Sequence, residues 1–260
     1  MLQESKDLVG MTVKASDGDL GHVRECYFDD EAWVIRYLVV QTGAWLLDRR
    51  VLVSPMSMGK PNCSLKTLHA RLTREQVRNS PDIDSDKSVS RQHELEFHRY
   101  YGYPYYWGYR GVWATERLAY EPAQCPEYYP QLRSCKSVTG YHIQAVDGDI
   151  GHVQGMLFDE ESSAIRYLIV NTGNWWRGHQ VLIAPESIAD VSWSDRRVVV
   201  QLTRQAIREA VPYDRALLPD RQGETLVYER YGHDGCWQYD SLSSVSPRAG
   251  PADAHLVERG

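Results

Sequence analysis

The run Asp17-Gly18-Asp19-Leu20-Gly21-His22-Val23 returns 130 residues later as Asp147-Gly148-Asp149-Ile150-Gly151-His152-Val153. The same offset, without a gap, pairs Phe28-Asp29 with Phe158-Asp159, Ile35-Arg36-Tyr37-Leu38 with Ile165-Arg166-Tyr167-Leu168, and Thr42-Gly43 with Thr172-Gly173. It continues through Val51-Leu52, Pro55 and Leu72-Thr73-Arg74 to Tyr101-Gly102 and Trp107, matched by Val181-Leu182, Pro185, Leu202-Thr203-Arg204, Tyr231-Gly232 and Trp237. A register held this long marks an internal duplication, with units running from about Leu8 to Trp107 and from Val138 to Trp237. A length of 260 residues suits two such units, each able to bury a modest core.

Within a unit the pattern is of short strands between turns. Asp17-Gly18 and Asp147-Gly148 are hairpin dipeptides, because glycine tolerates positive φ and aspartate bonds its own backbone. Val34 to Val40 and Ala164 to Val170 are β-branched and aromatic, as a central strand requires. Val51-Leu52-Val53 and Val181-Leu182-Ile183 stop just before Pro55 and Pro185, which lack the ladder donor. A last strand is expected near Leu65 to Leu72 and again near Val198 to Leu202. Thr73-Arg74-Glu75-Gln76 then spells a capping box for a short helix, and Thr203 caps its copy although Ala206 cannot reciprocate.

Composition narrows the function classes. With 42% hydrophobic and 25% charged residues the chain reads as a globular protein, and no apolar run reaches the ~18 to 20 residues of a membrane-spanning helix. No membrane insertion and a cytoplasmic site are therefore expected, the polar Met1 to Gly10 lacking the pattern of a secretory signal. A net charge of −6 without a basic block argues against nucleic-acid binding. The cysteines Cys26, Cys63, Cys125, Cys135 and Cys236 form no Cys-x-x-Cys pair, so reduced thiols are expected rather than a zinc knuckle or a disulfide framework.

The chain is expected to divide into a first repeat at 1–80, a Tyr-rich bridge and extension at 81–137, a second repeat at 138–212, an extension at 213–240 and a disordered tail at 241–260. Nine of the 17 tyrosines fall between Tyr100 and Tyr129, in a stretch read as irregular. Aromatic side chains bury large area at little entropic cost, so this stretch either packs on its own domain, forms a homo-oligomer contact or offers a ligand or sugar platform. Trp45, Tyr101, Tyr103, Tyr105, Tyr106, Trp107, Trp175, Trp176 and Trp237 are the candidate interaction surface.

Asp17, Asp19 and His22, with Asp147, Asp149 and His152, have oxygen and imidazole donors that suit a divalent metal, but turn chemistry accounts for them more simply. His93-Glu94-Leu95-Glu96-Phe97-His98 misses the zinc-protease spacing by one residue, since Phe97 stands where the second histidine must. No nucleophile elbow, phosphate loop or Cys-His pair appears, so no catalytic residue, cofactor or metal is expected. Arg36 and Arg166 are either buried partners of Asp29 and Asp159 or outward members of their strands. Alternation, with Ile35 and Tyr37 on one side, favours the outward placement.

The run Asp17-Gly18-x-x-Gly21-x-Val23, Phe28-Asp29, Ile35 to Val40 and Val51-Leu52-Val53-x-Pro55 resembles the PRC-barrel family, and Asp147 to Pro185 resembles it again. Members include the cytoplasmic portion of the photosynthetic reaction-centre H subunit, the C-terminal part of a ribosome-maturation factor and stand-alone tandem proteins; Tyr101 to Trp107 is similar to the tail of the last. The resemblance implies a mainly β fold of two tandem small PRC-type β-barrels, each with a short C-terminal helix, joined by the aromatic-rich irregular bridge. It implies a protein-contacting module; with no catalytic motif in either copy, a non-enzymatic protein-binding or scaffold protein is expected, with an unidentified protein partner or a homodimer. An RNA- or ribosome-associated maturation factor and a small-ligand or metal-binding stress protein are the alternatives.

Overall fold

The computed structural model describes residues 1–81, 91–104, 132–173, 179–209 and 212–215, with side chains at 91–93 excluded. The first half runs β1 (Leu2–Glu4), α1 (Ser5–Leu8), β2 (Thr12–Ala15), β3 (Gly18–Asp29), β4 (Val34–Thr42), β5 (Arg50–Val53), β6 (Thr67–His69), α2 (Arg74–Arg78) and α3 (Arg91–Tyr101). The second runs β7 (Leu132–Ser134), α4 (Cys135–Val138), β8 (His142–Ala145), β9 (Gly148–Asp159), β10 (Ile165–Asn171), β11 (Gln180–Ile183), β12 (Ile188–Ser192), β13 (Arg197–Val200) and α5 (Arg204–Glu209). The molecule is mainly β, in two mixed sheets. One is ordered β5-β4-β3-β2-β6 and the other β11-β10-β9-β8-β13-β12, with β2 parallel to β6 and β8 parallel to β13. No helix among the described residues is long and apolar enough to cross a membrane.

The hairpins turn where the Asp-Gly pairs predict, between β2 and β3 and between β8 and β9. The glycine that follows each turn answers a different demand. A Cβ at Gly21 would stand 1.9 Å from the Gln41 carbonyl oxygen and one at Gly151 2.0 Å from that of Asn171, so the neighbouring strand can approach only a bare backbone. Thr73 accepts from the Gln76 N–H while Gln76 reaches back to the Thr73 N–H, completing the capping box at α2.

The two halves exchange their first strands. β1 of the first half lies antiparallel on β9 of the second, with Leu2, Gln3 and Glu4 opposite Asp159, Phe158 and Leu157. β7 of the second lies on β3 of the first, with Leu132, Arg133 and Ser134 opposite Asp29, Phe28 and Tyr27. Each register is the other shifted by the repeat offset. Between the exchanged strands the hairpin tips meet: the Ile35 N–H donates to the Ser163 carbonyl at 2.9 Å, the Ile165 N–H donates to the Trp33 carbonyl at 2.7 Å, and Val34 bridges Ala164. Residues of both halves, among them Leu20, Phe28 and Ile35 with Ile150, Phe158 and Ile165, form one continuous apolar core. The free thiols of Cys26 and Cys135 lie in that core, where burial, aided by the Glu25 carboxylate, pushes the Cys26 thiol up to about 12.

Arg36 corrects the expectation drawn from alternation. It is 1% exposed, and its guanidinium bonds Asp29 Oδ2 through Nη2 at 3.0 Å and Nε at 3.3 Å, while Oδ1 accepts the N–H groups of Glu31 and Ala32. The cause is a β-bulge: Phe28 faces Ile35 and Tyr27 faces Tyr37, leaving Arg36 as the extra residue. Ile35 and Tyr37 therefore pack in different clusters rather than on one side. Arg166 occupies the same bulge on β10 and is likewise buried.

Candidate functional site

The Asp-Gly turns are docking sites for the short helices. The Asp17 carboxylate accepts the Arg74 N–H at 2.8 Å, and the Arg74 guanidinium donates to the Asp19 carbonyl through Nε at 3.0 Å and Nη2 at 2.8 Å. Gly18 makes room: a Cβ there would stand 3.1 Å from the guanidinium carbon. In the second half Asp147 accepts the Arg204 N–H at 2.8 Å. Of the candidate metal ligands, Asp17 and Asp147 are thus engaged by helix N-termini. His22 is exposed with its Nδ1 3.4 Å from Thr12 Oγ1, and Asp19, Asp149 and His152 are also exposed. Among the described residues no three His, Cys, Asp or Glu side chains converge as metal ligands would.

Trp45 is half-buried on its own half. Its Nε1 donates to the Leu20 carbonyl at 2.8 Å, and the guanidinium carbons of Arg74 and Arg78 lie 5.0 and 5.9 Å from the ring centroid. The indole thereby ties the loop after β4 to the first hairpin and to α2. Tyr101 and Tyr103 stack at 5.3 Å and pack around Phe97, and Tyr103 Oη shares a hydrogen bond with Ser57 Oγ. Burial pushes both phenols above their ordinary range, so they stay neutral at physiological pH. Tyr105, Tyr106, Trp107, Trp175, Trp176 and Trp237 lie outside the described residues.

What sequence reasoning missed is the helix that carries Tyr101. α3 places Glu94, Phe97, His98 and Tyr101 at the i, i+3, i+4, i+7 spacing of one face. That face covers the outer side of the first sheet, where Tyr37, Val39 and Leu52 are joined by Leu132 from the exchanged β7. The Tyr37 ring meets Phe97 edge-on at 5.2 Å. Beneath the helix, the Tyr37 hydroxyl donates to Glu94 Oε1 at 3.0 Å and lies 2.8 Å from His98 Nε2, while His98 Nδ1 donates to the Pro104 carbonyl at 2.8 Å.

This cluster can be counted in protons. Nδ1 must carry a hydrogen to bond a carbonyl, and the single phenolic hydrogen serves one neighbour of Oη only. Both bonds to Oη form together when the Glu94–His98 pair holds one proton beyond a neutral imidazole and a free carboxylate. Tyr37, Glu94 and His98 are 1, 2 and 1% exposed, so the group lies buried under α3. The i, i+3, i+4, i+7 spacing of Glu94, Phe97, His98 and Tyr101 was the available signal.

Comparison with models of protein families and with curated protein sequences gives no match for the chain.

Proposed function

We propose that the chain is a non-enzymatic binding scaffold in which two PRC-type barrels are fused through exchanged strands into one rigid body. Each sheet with its docked short helix is read as one barrel, on the strength of the repeated Asp-Gly hairpin, bulged central strand and proline-terminated strand. The observation that carries the reading is the use to which the repeated polar residues are put. Asp17 and Asp147 hold helix N-termini, and Asp29 holds Arg36 and a turn. The Tyr37–Glu94–His98 group is sealed under a helix. A duplicated module whose repeated polar groups serve its architecture suits a role exerted by its outer surface on another protein.

The test is the mass of the untagged chain in fresh extract of its source cells, by size exclusion with immunodetection, against that of the purified chain. A larger assembly in extract, containing one other protein in fixed stoichiometry, is expected. The same mass in extract and in pure form, across growth conditions, would sink the reading.

A further inference from the structure

The exchanged strands are alike in their first residue and unlike in the next two. Leu2 and Leu132 each complete the apolar cluster on the outer face of the opposite sheet. After them come Gln3-Glu4 in one strand and Arg133-Ser134 in the other, and the edges that receive them differ to match. On the first half's edge, Ser134 Oγ donates to the Glu25 carboxylate and Arg133 Nε lies 3.0 Å from Asp30 Oδ2. On the second, the position equivalent to Glu25 is Gly155, and Gln3 Nε2 donates to Glu160. Glu4 is buried there, accepting from Tyr213 Oη at 3.1 Å, with Arg215 Nε at 3.5 Å and the Lys6 ammonium also on its carboxylate.

Each strand moved to its own half's edge would meet a different fate. Ser134 and Arg133 would face Gly155 and Glu160, which repel neither. Glu4 would take the place of Ser134 opposite Tyr27, its carboxylate beside that of Glu25. The sequence positions that correspond to Tyr213 and Arg215 in the first half are Ile83 and Ser85, which offer neither phenol nor guanidinium. Like charges side by side on a strand pair are destabilising, and the buried Glu4 carboxylate would keep only Lys6, having lost the Tyr213 hydroxyl and the Arg215 guanidinium.

We infer that Glu4 and Glu25 together form a selectivity code at the joint. The β9 edge accepts an extended segment of the form apolar-x-acidic, which β1 supplies. The β3 edge refuses that segment and takes one ending in a small hydroxyl residue. Pairing of two copies of the first half through these edges is therefore disfavoured, and the first half is directed to the second as its partner.

The contact that self-pairing would create can be built into the full-length protein by Ser134→Glu, which sets an acidic residue beside Glu25. The thermal midpoint is expected to fall by about 3 °C or more, and E25Q/S134E to regain at least half of that loss relative to E25Q alone. An equal fall in both backgrounds would show that bulk, not charge, governs the edge and would overturn the inference; so would an unchanged midpoint in S134E. Should S134E fail to fold, recovery of a folded protein in E25Q/S134E supports the code, and failure of both overturns it.

Discussion

The two halves share a backbone frame at their hairpins and central strands and differ in how they stabilise and complete it. Gly21 and Gly151 face the same close carbonyl, Asp17 and Asp147 hold the same helix start, and Arg36 and Arg166 fill the same bulge. Around that frame the side chains diverge. Asp29 is sealed and bound to Arg36, whereas Asp159, at the equivalent hairpin, takes the N-terminal ammonium at 3.0 Å and the Ser162 N–H at 2.9 Å. β12 is a five-residue strand paired with β13, whereas the corresponding stretch of the first half makes the single bridges Met58 to Ala70 and Asn62 to Thr67. A duplicated chain keeps what the backbone geometry demands and is free to vary what merely fills or neutralises it.

Removing the hairpin carboxylates should break the equivalence most sharply. Asp29→Ala leaves the Arg36 guanidinium buried without its carboxylate and should cost about 3–5 kcal/mol in urea unfolding. Asp159→Ala, whose ammonium partner is exposed, should cost roughly 1 kcal/mol. Equal losses would mean that the two hairpins are stabilised alike after all. The shared frame is tested by Gly21→Ala and Gly151→Ala, each forcing the neighbouring strand away. Both should cost about 2–3 kcal/mol, and the same in either half, measured by the same unfolding curves.

Next comes a change confined to the first half. Tyr37→Phe removes the hydroxyl shared by Glu94 and His98 and should cost about 2 kcal/mol. Amide exchange should quicken through 91–101 while β8 and β13 stay protected. The smallest effect belongs to pH. Burial alone raises the Asp159 carboxyl, but the Ser162 N–H and hydroxyl and the N-terminal ammonium outweigh it and hold it below its ordinary range. Because the folded value lies below the unfolded one, its stabilisation is complete above the ordinary carboxylate range and is lost as pH falls through the lowered value. In Asp159→Asn the acid-side slope of stability against pH should be shallower than in the parent chain, as chemical denaturation at successive pH values would show.

The repeat, the hairpin turns, the central strands, the proline stops and the capping box were all legible in the sequence, because each rests on a local rule that a few adjacent residues satisfy. Arg36 was misread because the phase of alternation changes at a bulge, and a bulge is set by the partner strand rather than by the strand that carries it. β1 and β7 are three residues long, too short to show a period, and their partners lie in the other half of the chain. The α3 face was written plainly in Glu94, Phe97, His98 and Tyr101, but its apolar members are few and its meaning depends on Tyr37, far away in sequence.

The exchange of first strands also sets a timetable for folding. β1 leaves the ribosome well before β9, the strand it joins, which follows roughly ten to thirty seconds afterwards at ordinary rates of synthesis. Until then the nascent first half holds an apolar Leu2 with no sheet to receive it, and the β3 edge stands open until β7, made shortly before β9, can fill it. The interval during which β1 stays unpaired is therefore written into the topology, and it cannot close before β9 emerges.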